Sequence, residues 1–233
     1  MPMTSDSNSG LLTVDPVPVH EKIYQEIVHA LMSGMFAPGQ KLTSRKLAAE
    51  LGTSDMPVRS ALSRLHSLRA LDARGNGSMQ VPQMTAEKLC QLMELRALLE
   101  GAATAAACDM IDDNSLRDLR RSCTELTDAA KLGDIDLYLR RNYEFKFSIY
   151  RHCNNDQLVF LIETLWMQVG PFLRSYASVF QGDLSGILEI DYHQEVLAAL
   201  EAKDAARACE AISRDIEEGS KYLRAHAHFY EQA

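Results

Sequence analysis

The chain has 233 residues, 46% of them apolar, which is enough for one large domain or two small ones with hydrophobic cores. Its net charge of −8, taken alone, argues against a nucleic-acid partner. No apolar run approaches the roughly 18 residues of a membrane span, and the first ten residues lack a signal-peptide pattern. We therefore expect a cytoplasmic protein with no membrane partner.

The charge is distributed unevenly along the chain. Residues 1–82 hold 8 lysines and arginines against 7 aspartates and glutamates, whereas residues 83–233 hold 16 against 25. Residues 40–75 carry seven cations and three anions, so the positive charge is concentrated there. An acidic chain with one basic segment suits contact with nucleic acid through that segment only.

The N-terminal region begins without a structural signal. Residues 1–18 are polar, contain three prolines and lack periodicity, which predicts a disordered tail. From His20, apolar residues recur at helical spacing as far as Ser33-Gly34. This pattern predicts a first helix.

Two short helices are predicted after a Pro-Gly turn at residues 37–42. Thr43 or Ser44 can cap the first of these helices, and Gly52 ends it. Ser54 caps the second helix, whose apolar residues are spaced to face inward and leave the opposite side in solvent.

A wing is predicted after the third helix. Asn76-Gly77 offers the positive φ angles of a tight hairpin between two short strands. Three helices followed by a hairpin predict a winged helix-turn-helix over residues 19–82. The alternative is a small helical domain with a solvated basic face.

A winged helix-turn-helix places its recognition helix in the major groove of double-stranded DNA. Its exposed residues meet base edges, while flanking cations hold phosphates. We predict that the DNA contacts are made by Arg45, Lys46, Ser54, Asp55, Met56, Arg59, Ser63, Arg64, Asn76 and Gly77. Because one such unit reads one half-site, we also predict a homodimer.

Long helical segments with almost no strand signal follow from Thr85. Six helices are predicted, at about 85–109, 113–132, 134–152, 155–180, 184–202 and 204–229. They fit an antiparallel bundle. The expected fold class is therefore mainly α: an N-terminal winged helix-turn-helix, a linker at residues 83–88, and an all-helical domain for effector binding and dimerisation at residues 89–231.

Five polar residues fall on helical faces that should be apolar: Arg96, Asn142, Lys146, His193 and Asp215. Burying an unpaired charge costs several kcal/mol, so these groups should meet one another or a polar ligand. We predict an effector cavity lined from four helices. The alternative is that they only satisfy one another, through a Lys146 to Asp215 ion pair.

Both parts of the chain resemble a known family. The segment APGQKLTSRKLAAELGTSDMPVRSALSRL resembles the winged helix of GntR-type bacterial transcription regulators. The remainder is similar to the six-helix version of the FCD ligand-binding domain, through LMELRALLE, RNYEFKFSIYRHCNN and YHQEVLAALEAKDAARACEAISRDI. The resemblance implies a ligand-responsive transcription regulator that binds an operator.

The resemblance also assigns individual DNA contacts. Arg45 and Arg59 match arginines that contact DNA in the family. Asp55 stands where the family usually has arginine; a carboxylate there repels phosphate and can accept a hydrogen bond from a cytosine amino group. The operator preference is therefore not transferable from the family.

The metal site of many FCD domains does not transfer either. The family binds a divalent metal through one aspartate and three histidines, and the matching positions here are Asn142, Lys146, His193 and Asp215. An ammonium cannot coordinate a metal, so we expect no metal and no cofactor. Instead, Lys146 and Arg96 are expected to bind the carboxylate of a small organic acid, with Asn142 and His193 holding its other polar atoms.

Two other functions are weighed against the regulator. An enzyme built as a di-metal bundle needs two Glu-x-x-His pairs, and only Glu26 to His29 is present. There is no nucleophile elbow, phosphate loop or zinc-protease motif, so we expect no enzyme. The five cysteines form no C-x-x-C pair, which argues against a disulfide framework or a thiolate zinc site. The alternative function is a DNA-binding protein whose bundle is only a structural dimerisation module.

Overall fold

The computed structural model describes residues 18–75 and 77–231. It shows three helices with a small sheet, followed by a helical bundle. This confirms the expected fold class, a mainly α chain with a winged helix-turn-helix and an antiparallel bundle. The predicted disordered tail lies outside the described residues except for Pro18, whose carbonyl accepts hydrogen bonds from the first turn of the first helix.

Three helices form the first part of the chain, which we call the head: α1 (Val19–Met32), α2 (Ser44–Glu50) and α3 (Asp55–Ser67). Their apolar residues share one core because they recur at helical spacing on the inward faces. Val58, Leu62 and Leu65 of α3 are almost completely buried. The opposite face of α3 is consequently the exposed one, as the spacing predicts.

The wing contains one more strand than the sequence predicts. Its strands are β1 (Lys41–Leu42), β2 (Asp72–Ala73) and β3 (Met79–Gln80), in the antiparallel order β1-β3-β2. The predicted turn at residues 37–42 is wrong for its last two residues. A two-residue strand is defined by its partner, here β3 about 40 residues away, and carries no local alternation signal.

Seven α-helices form the bundle within the described residues: α4 (Ala86–Ala107), α5 (Asp113–Leu132), α6 (Ile135–Tyr150), α7 (Asp156–Leu173), α8 (Ser175–Val179), α9 (His193–Glu201) and α10 (Ala205–His226). Five of them start at side-chain caps, which are Thr85, Asp112, Asp134, Asn155 and Asp204. Across the described ranges, no helix has the length and apolar character needed to cross a bilayer.

The helix predicted at residues 155–180 is broken. α7 ends at Leu173 and the short α8 follows. Pro171 lies near the end of α7, where its ring removes one hydrogen-bond donor and crowds the preceding turn. The continuous prediction was wrong because apolar periodicity runs through the break.

The helix predicted at residues 184–202 is α-helical only from His193. Residues Leu184–Glu189 form a 3-10 segment instead. Just before α9, the Asp191 side chain accepts a hydrogen bond from the His193 backbone at 2.9 Å. The outcome is an irregular stretch at residues 174–192, which we call the covering segment.

The head packs directly on the bundle. Gly170 of α7 approaches α1 so closely that a Cβ there would clash with the Leu31 carbonyl oxygen. Arg174 donates to the Gly34 carbonyl at 2.8 Å and to the Asp136 carboxylate of α6 at 2.6 Å. The end of α1 is therefore tied to both α6 and α7.

Candidate DNA-binding surface and effector cavity

The head carries an open, basic groove between α2, α3 and the wing. Its volume is about 490 Å³, and its lining residues are Lys41, Thr43, Ser44, Arg45, Arg59, Gly77 and Ser78. Three of the predicted DNA contacts, Arg45, Arg59 and Gly77, meet in it. Such a concentration of cations suits a phosphate backbone.

Two further cations adjoin this groove and were missed by the sequence prediction. Lys41 lines it from β1, and Arg74 lines a neighbouring groove together with Lys41. Lys41 was overlooked because it falls in the predicted turn. The available signal was its position in the segment of concentrated positive charge.

The remaining predicted DNA contacts divide into two groups. Lys46, Ser54, Met56 and Ser63 are exposed on the head. Arg64, in contrast, donates to Glu21 of α1 at 3.0 Å and lies over the Tyr24 ring at 3.7 Å. Its geometry favours a role in holding α3 against α1. Asn76 lies outside the described residues.

Asp55 and Arg59 form an ion pair on the exposed face of α3. Arg59 Nη2 donates to Asp55 Oδ2 at 2.8 Å. The Ser44 hydroxyl and the Arg59 guanidinium lower the pKa of the Asp55 carboxyl. Arg59 is 71% exposed despite this pair, so it remains accessible from the groove.

The five polar residues predicted to form the effector site surround one cavity in the bundle. Arg96 comes from α4, Asn142 and Lys146 from α6, His193 from α9 and Asp215 from α10. The covering segment adds further residues, which are Tyr176, Ile187, Ile190 and Asp191. The cavity volume is about 30 Å³, room for only one or two water molecules.

Lys146 and Asp215 make a closed ion pair across the cavity. Lys146 Nζ donates to Asp215 Oδ2 at 2.5 Å, and the Tyr192 backbone donates to Oδ1 at 3.0 Å. Burial alone would raise the pKa of Asp215, but Lys146 and then His193 outweigh it and hold this pKa well below its usual range. The structure thus has the ion-pair geometry that the sequence left open as an alternative.

His193 contacts an acceptor with each ring nitrogen. Nδ1 lies 2.5 Å from Asp191 Oδ1, and Nε2 lies 2.9 Å from Asn142 Oδ1. Both nitrogens can donate only when the imidazole is protonated. Burial opposes the charge, but the Asp191 and Asp215 carboxylates outweigh it and raise the pKa of His193.

We expect this raised pKa to make the stability depend on pH above neutrality. The protonated His193 side chain contributes fully to the free energy of unfolding below its unfolded-state pKa of about 6.5. This contribution is lost as pH rises through the higher folded-state pKa. The free energy of unfolding of the wild type should therefore exceed that of His193→Gln most at pH 6 and least at pH 9. Urea unfolding at several pH values measures this difference, and a difference that grows with pH would contradict the assignment.

Arg96 is paired within its own helix. Its Nε donates to Glu100 Oε1 at 2.6 Å, and its guanidinium lies 4.2 Å from the Trp166 ring centroid. Glu100 is completely buried and also accepts from Trp166 Nε1 at 2.9 Å and from the Tyr150 hydroxyl at 2.5 Å. The Arg96 charge is therefore already compensated where it lines the cavity.

Charges around the cavity balance when His193 is protonated. Three cations, Arg96, Lys146 and His193, face three carboxylates, Glu100, Asp191 and Asp215. Two neutral donors at the cavity remain unused within the described chain, the Asn142 Nδ2 amide and the Tyr176 hydroxyl. An acceptor-bearing ligand could satisfy both of them.

The sequence prediction missed two of these carboxylates. Glu100 follows Arg96 by four residues on the same helical face, and this spacing was the signal that could have identified it. Asp191 lies in the irregular covering segment, where no periodicity marks an inward side chain. The sequence thus predicted all three cationic side chains at the cavity, but only one of the three carboxylates, Asp215.

The fit of a divalent metal depends on the donors around the cavity. Asp191, His193 and Asp215 each offer one ligand atom, all within 4.8 Å of one another. However, the Lys146 ammonium already contacts Asp215, and both ring nitrogens of His193 face acceptors. A metal ion held by these three residues would lie beside the Lys146 ammonium, which repels a second cation.

Comparisons with known proteins agree with both parts of the chain. Residues 19–81 match the family described as bacterial regulatory proteins, gntR family, and residues 91–218 match the FCD domain. The HTH-type transcriptional regulator McbR of Escherichia coli K12 is 33% identical over 184 residues, which cover 78% of this chain and 82% of McbR.

Two further matches extend over most of the chain. The probable D-xylose utilization operon transcriptional repressor of Paenarthrobacter nicotinovorans is 26% identical, covering 90% of this chain and 89% of that protein. The solved structure of E. coli McbR/YncC superposes with a TM-score of 0.80 at 29% identity, covering 87% of this chain and 95% of that one.

Proposed function

This chain belongs to the GntR family of bacterial regulatory proteins and carries an FCD domain, and from that premise we propose that this DNA-binding transcription regulator senses a small organic acid. It acts in the cytoplasm, with its head on an operator. The observation that carries the proposal is the cavity lined by the Lys146 ammonium, the Asn142 amide and the Tyr176 hydroxyl, which are all groups that can donate to a carboxylate. The acid would bind without catalysis.

The acid carboxylate replaces Asp215 as the partner of Lys146. Because the charges are already balanced, an added anion must release one of the carboxylates from its cation. Among these carboxylates the Asp215 side chain is the most exposed, at 11% against 9% for Asp191 and 0% for Glu100. Asn142 Nδ2 and the Tyr176 hydroxyl then donate to the remaining ligand oxygens.

Binding requires the cavity to expand. A volume of about 30 Å³ admits no organic acid of several heavy atoms. The covering segment consists of short elements, and its Tyr176 hydroxyl would lie 2.6 Å from a Cβ at Gly219 of α10. Movement of this segment away from α10 is the step that opens the cavity, and no metal takes part in it.

α6 provides a direct route from the cavity to the head. It carries Asn142 and Lys146 on the cavity side, while Leu139 of the same helix packs on Gly34 at the end of α1. Tyr143 meets His29 of α1 edge-on, with ring centroids 5.3 Å apart. A shift of α6 on ligand binding therefore changes the position of α1 and the separation of two heads on DNA.

A thermal-shift screen of small carboxylic acids tests the binding step. We expect at least one acid to raise the unfolding temperature in a concentration-dependent way, since a ligand of the folded state stabilises it by mass action. Matched neutral amides of the same acids serve as controls and should have no effect. Stabilisation by amides and acids alike would contradict an anion site.

The bundle as a purely structural module is the second candidate. The balanced charges and the small cavity favour it, because each buried charge already has a partner. On this alternative, no ligand stabilises the protein and the covering segment stays closed. A screen without any stabilising acid supports the structural module over the sensor.

We propose that dimerisation uses exposed apolar side chains of α4 and α7. Leu95 and Leu98 of α4 are 47% and 68% exposed, and Phe160 and Leu161 of α7 are 43% and 49% exposed. An exposed apolar surface of this kind marks an interface. The occupant is a second copy of the chain, because one head reads only one half-site of a two-fold operator.

We expect Leu98→Asp to separate the dimer into monomers, since a carboxylate would be buried unpaired twice across a two-fold interface. Light scattering after gel filtration measures the mass, and operator affinity should fall at least about tenfold. Leu132→Asp is the matched control, because Leu132 is 78% exposed at the end of α5. A dimeric Leu98→Asp variant would exclude this face.

A further inference from the structure

The pair formed by Asp55 and Arg59 has a consequence for how the head reads DNA. The two residues are four apart in α3, so their side chains share the exposed face. One Asp55 oxygen accepts from Arg59 Nη2 at 2.8 Å, and the other, Oδ1, is shielded from solvent. Only Oδ2 could therefore reach a base, and Arg59 already donates to it.

Arg59 keeps the donors that base recognition needs. Nη2 has a second hydrogen, and Nη1 has no partner within the described residues. A guanidinium reads guanine by donating two parallel hydrogen bonds to O6 and N7. An arginine that is already oriented loses less rotational freedom on binding than a free one, so its preference for guanine is sharper.

Asp55 also opposes unspecific contact. Its carboxylate lies beside the cations Arg45 and Arg59, which influence its pKa, and it repels the phosphates that those cations attract. Loss of the carboxylate should therefore strengthen binding to DNA of any sequence. The orientation of Arg59 and the repulsion of phosphates by Asp55 therefore both favour binding to the operator over binding to DNA of other sequences.

We propose that Asp55 is a positioning residue, which holds the Arg59 guanidinium for a guanine in the operator and contacts no base itself. The inference rests on the proposed function in one respect, the contact of Arg59 with DNA. It replaces the idea that Asp55 accepts a hydrogen bond from cytosine.

The test is a selection from a random duplex library, with sequencing, for the full-length wild type, Asp55→Asn, Arg59→Ala and the double variant. We expect the wild type to prefer guanine at one position of each half-site by at least about fivefold. Arg59→Ala should lose this preference, and Asp55→Asn should reduce it at least about threefold while binding bulk DNA as tightly as the wild type or more tightly.

Three controls separate positioning from other effects. Glu50→Gln removes one negative charge from the exposed side of α2 without touching Arg59, and it should keep the guanine preference. Asp55→Glu, which retains the carboxylate, should show a guanine preference between that of Asp55→Asn and that of the wild type. In the Arg59→Ala background, Asp55→Asn should cause no further loss of base preference, because Asp55 acts through Arg59.

Two results would overturn the inference while leaving Arg59 as a DNA contact. One is an unchanged guanine preference in Asp55→Asn. The other is a base preference that is present in Arg59→Ala and absent in the double variant. It would show that Asp55 reads a base directly. A guanine preference that survives Arg59→Ala would instead overturn the DNA contact of Arg59, and with it this inference.

Discussion

Glu100→Gln is expected to destabilise the bundle by about 3–5 kcal/mol, the cost of leaving a buried charge without its partner. Glu100 is completely buried and accepts hydrogen bonds from Arg96, Tyr150 and Trp166. A neutral amide would face the buried Arg96 guanidinium and would bring two donors into a site that supplies only donors. Urea unfolding followed by tryptophan fluorescence measures the loss, because Trp166 lies at the site.

Glu94→Gln is the matched control for this experiment. Glu94 lies on the same helix but is exposed, so its replacement should change the free energy of unfolding by less than about 0.5 kcal/mol. The double variant Arg96→Met with Glu100→Gln should recover part of the loss, since it removes the unpaired charge. A Glu100→Gln variant as stable as the wild type would mean that Arg96 does not depend on Glu100.

Lys146→Met is expected to have two separable effects. The first is a loss of about 3–5 kcal/mol at pH 7, because the nearly buried Asp215 carboxylate loses its cation. Burial then raises the pKa of Asp215, so the loss should be smaller at pH 5, where the carboxyl is closer to neutral. The second effect is that organic acids no longer stabilise the protein, because their cationic partner is gone.

The double variant Lys146→Met with Asp215→Asn separates these effects. It removes both charges, while the amide oxygen introduced by Asp215→Asn can still accept from the Tyr192 backbone, so most of the stability should return. The response to acids should not return, since no ammonium is restored. Thermal shift with and without acid measures both quantities. An acid response that persists in the double variant would exclude Lys146 as the anion partner.

The fold could be predicted where local periodicity decides the structure. The exposed and buried faces of α3 follow from the spacing of Val58, Leu62 and Leu65, and α5 has the predicted bounds. Local patterns did not reveal β1, which exists through pairing with β3. They also did not reveal the break after α7, where Pro171 interrupts a segment that stays apolar.

The candidate site was partly predictable for a related reason. Arg96, Asn142, Lys146, His193 and Asp215 disturb apolar helical faces, and helical geometry brings them to one cavity. The pairing among them depends on distances between helices, which no spacing specifies. Three contacts became visible only in three dimensions: the closed pair of Lys146 with Asp215, the placement of His193 between Asp191 and Asn142, and the pairing of Arg96 with Glu100.

Operator affinity measured with and without a stabilising acid tests the central claim most directly. Fluorescence anisotropy of a labelled duplex from the selection gives the dissociation constant at each acid concentration. We expect the acid that stabilises the protein to change this constant by about 5- to 150-fold, the usual range of coupling between two sites, and to change nothing in the Lys146→Met, Asp215→Asn double variant. An acid that stabilises the wild type but leaves its operator affinity unchanged would contradict the account.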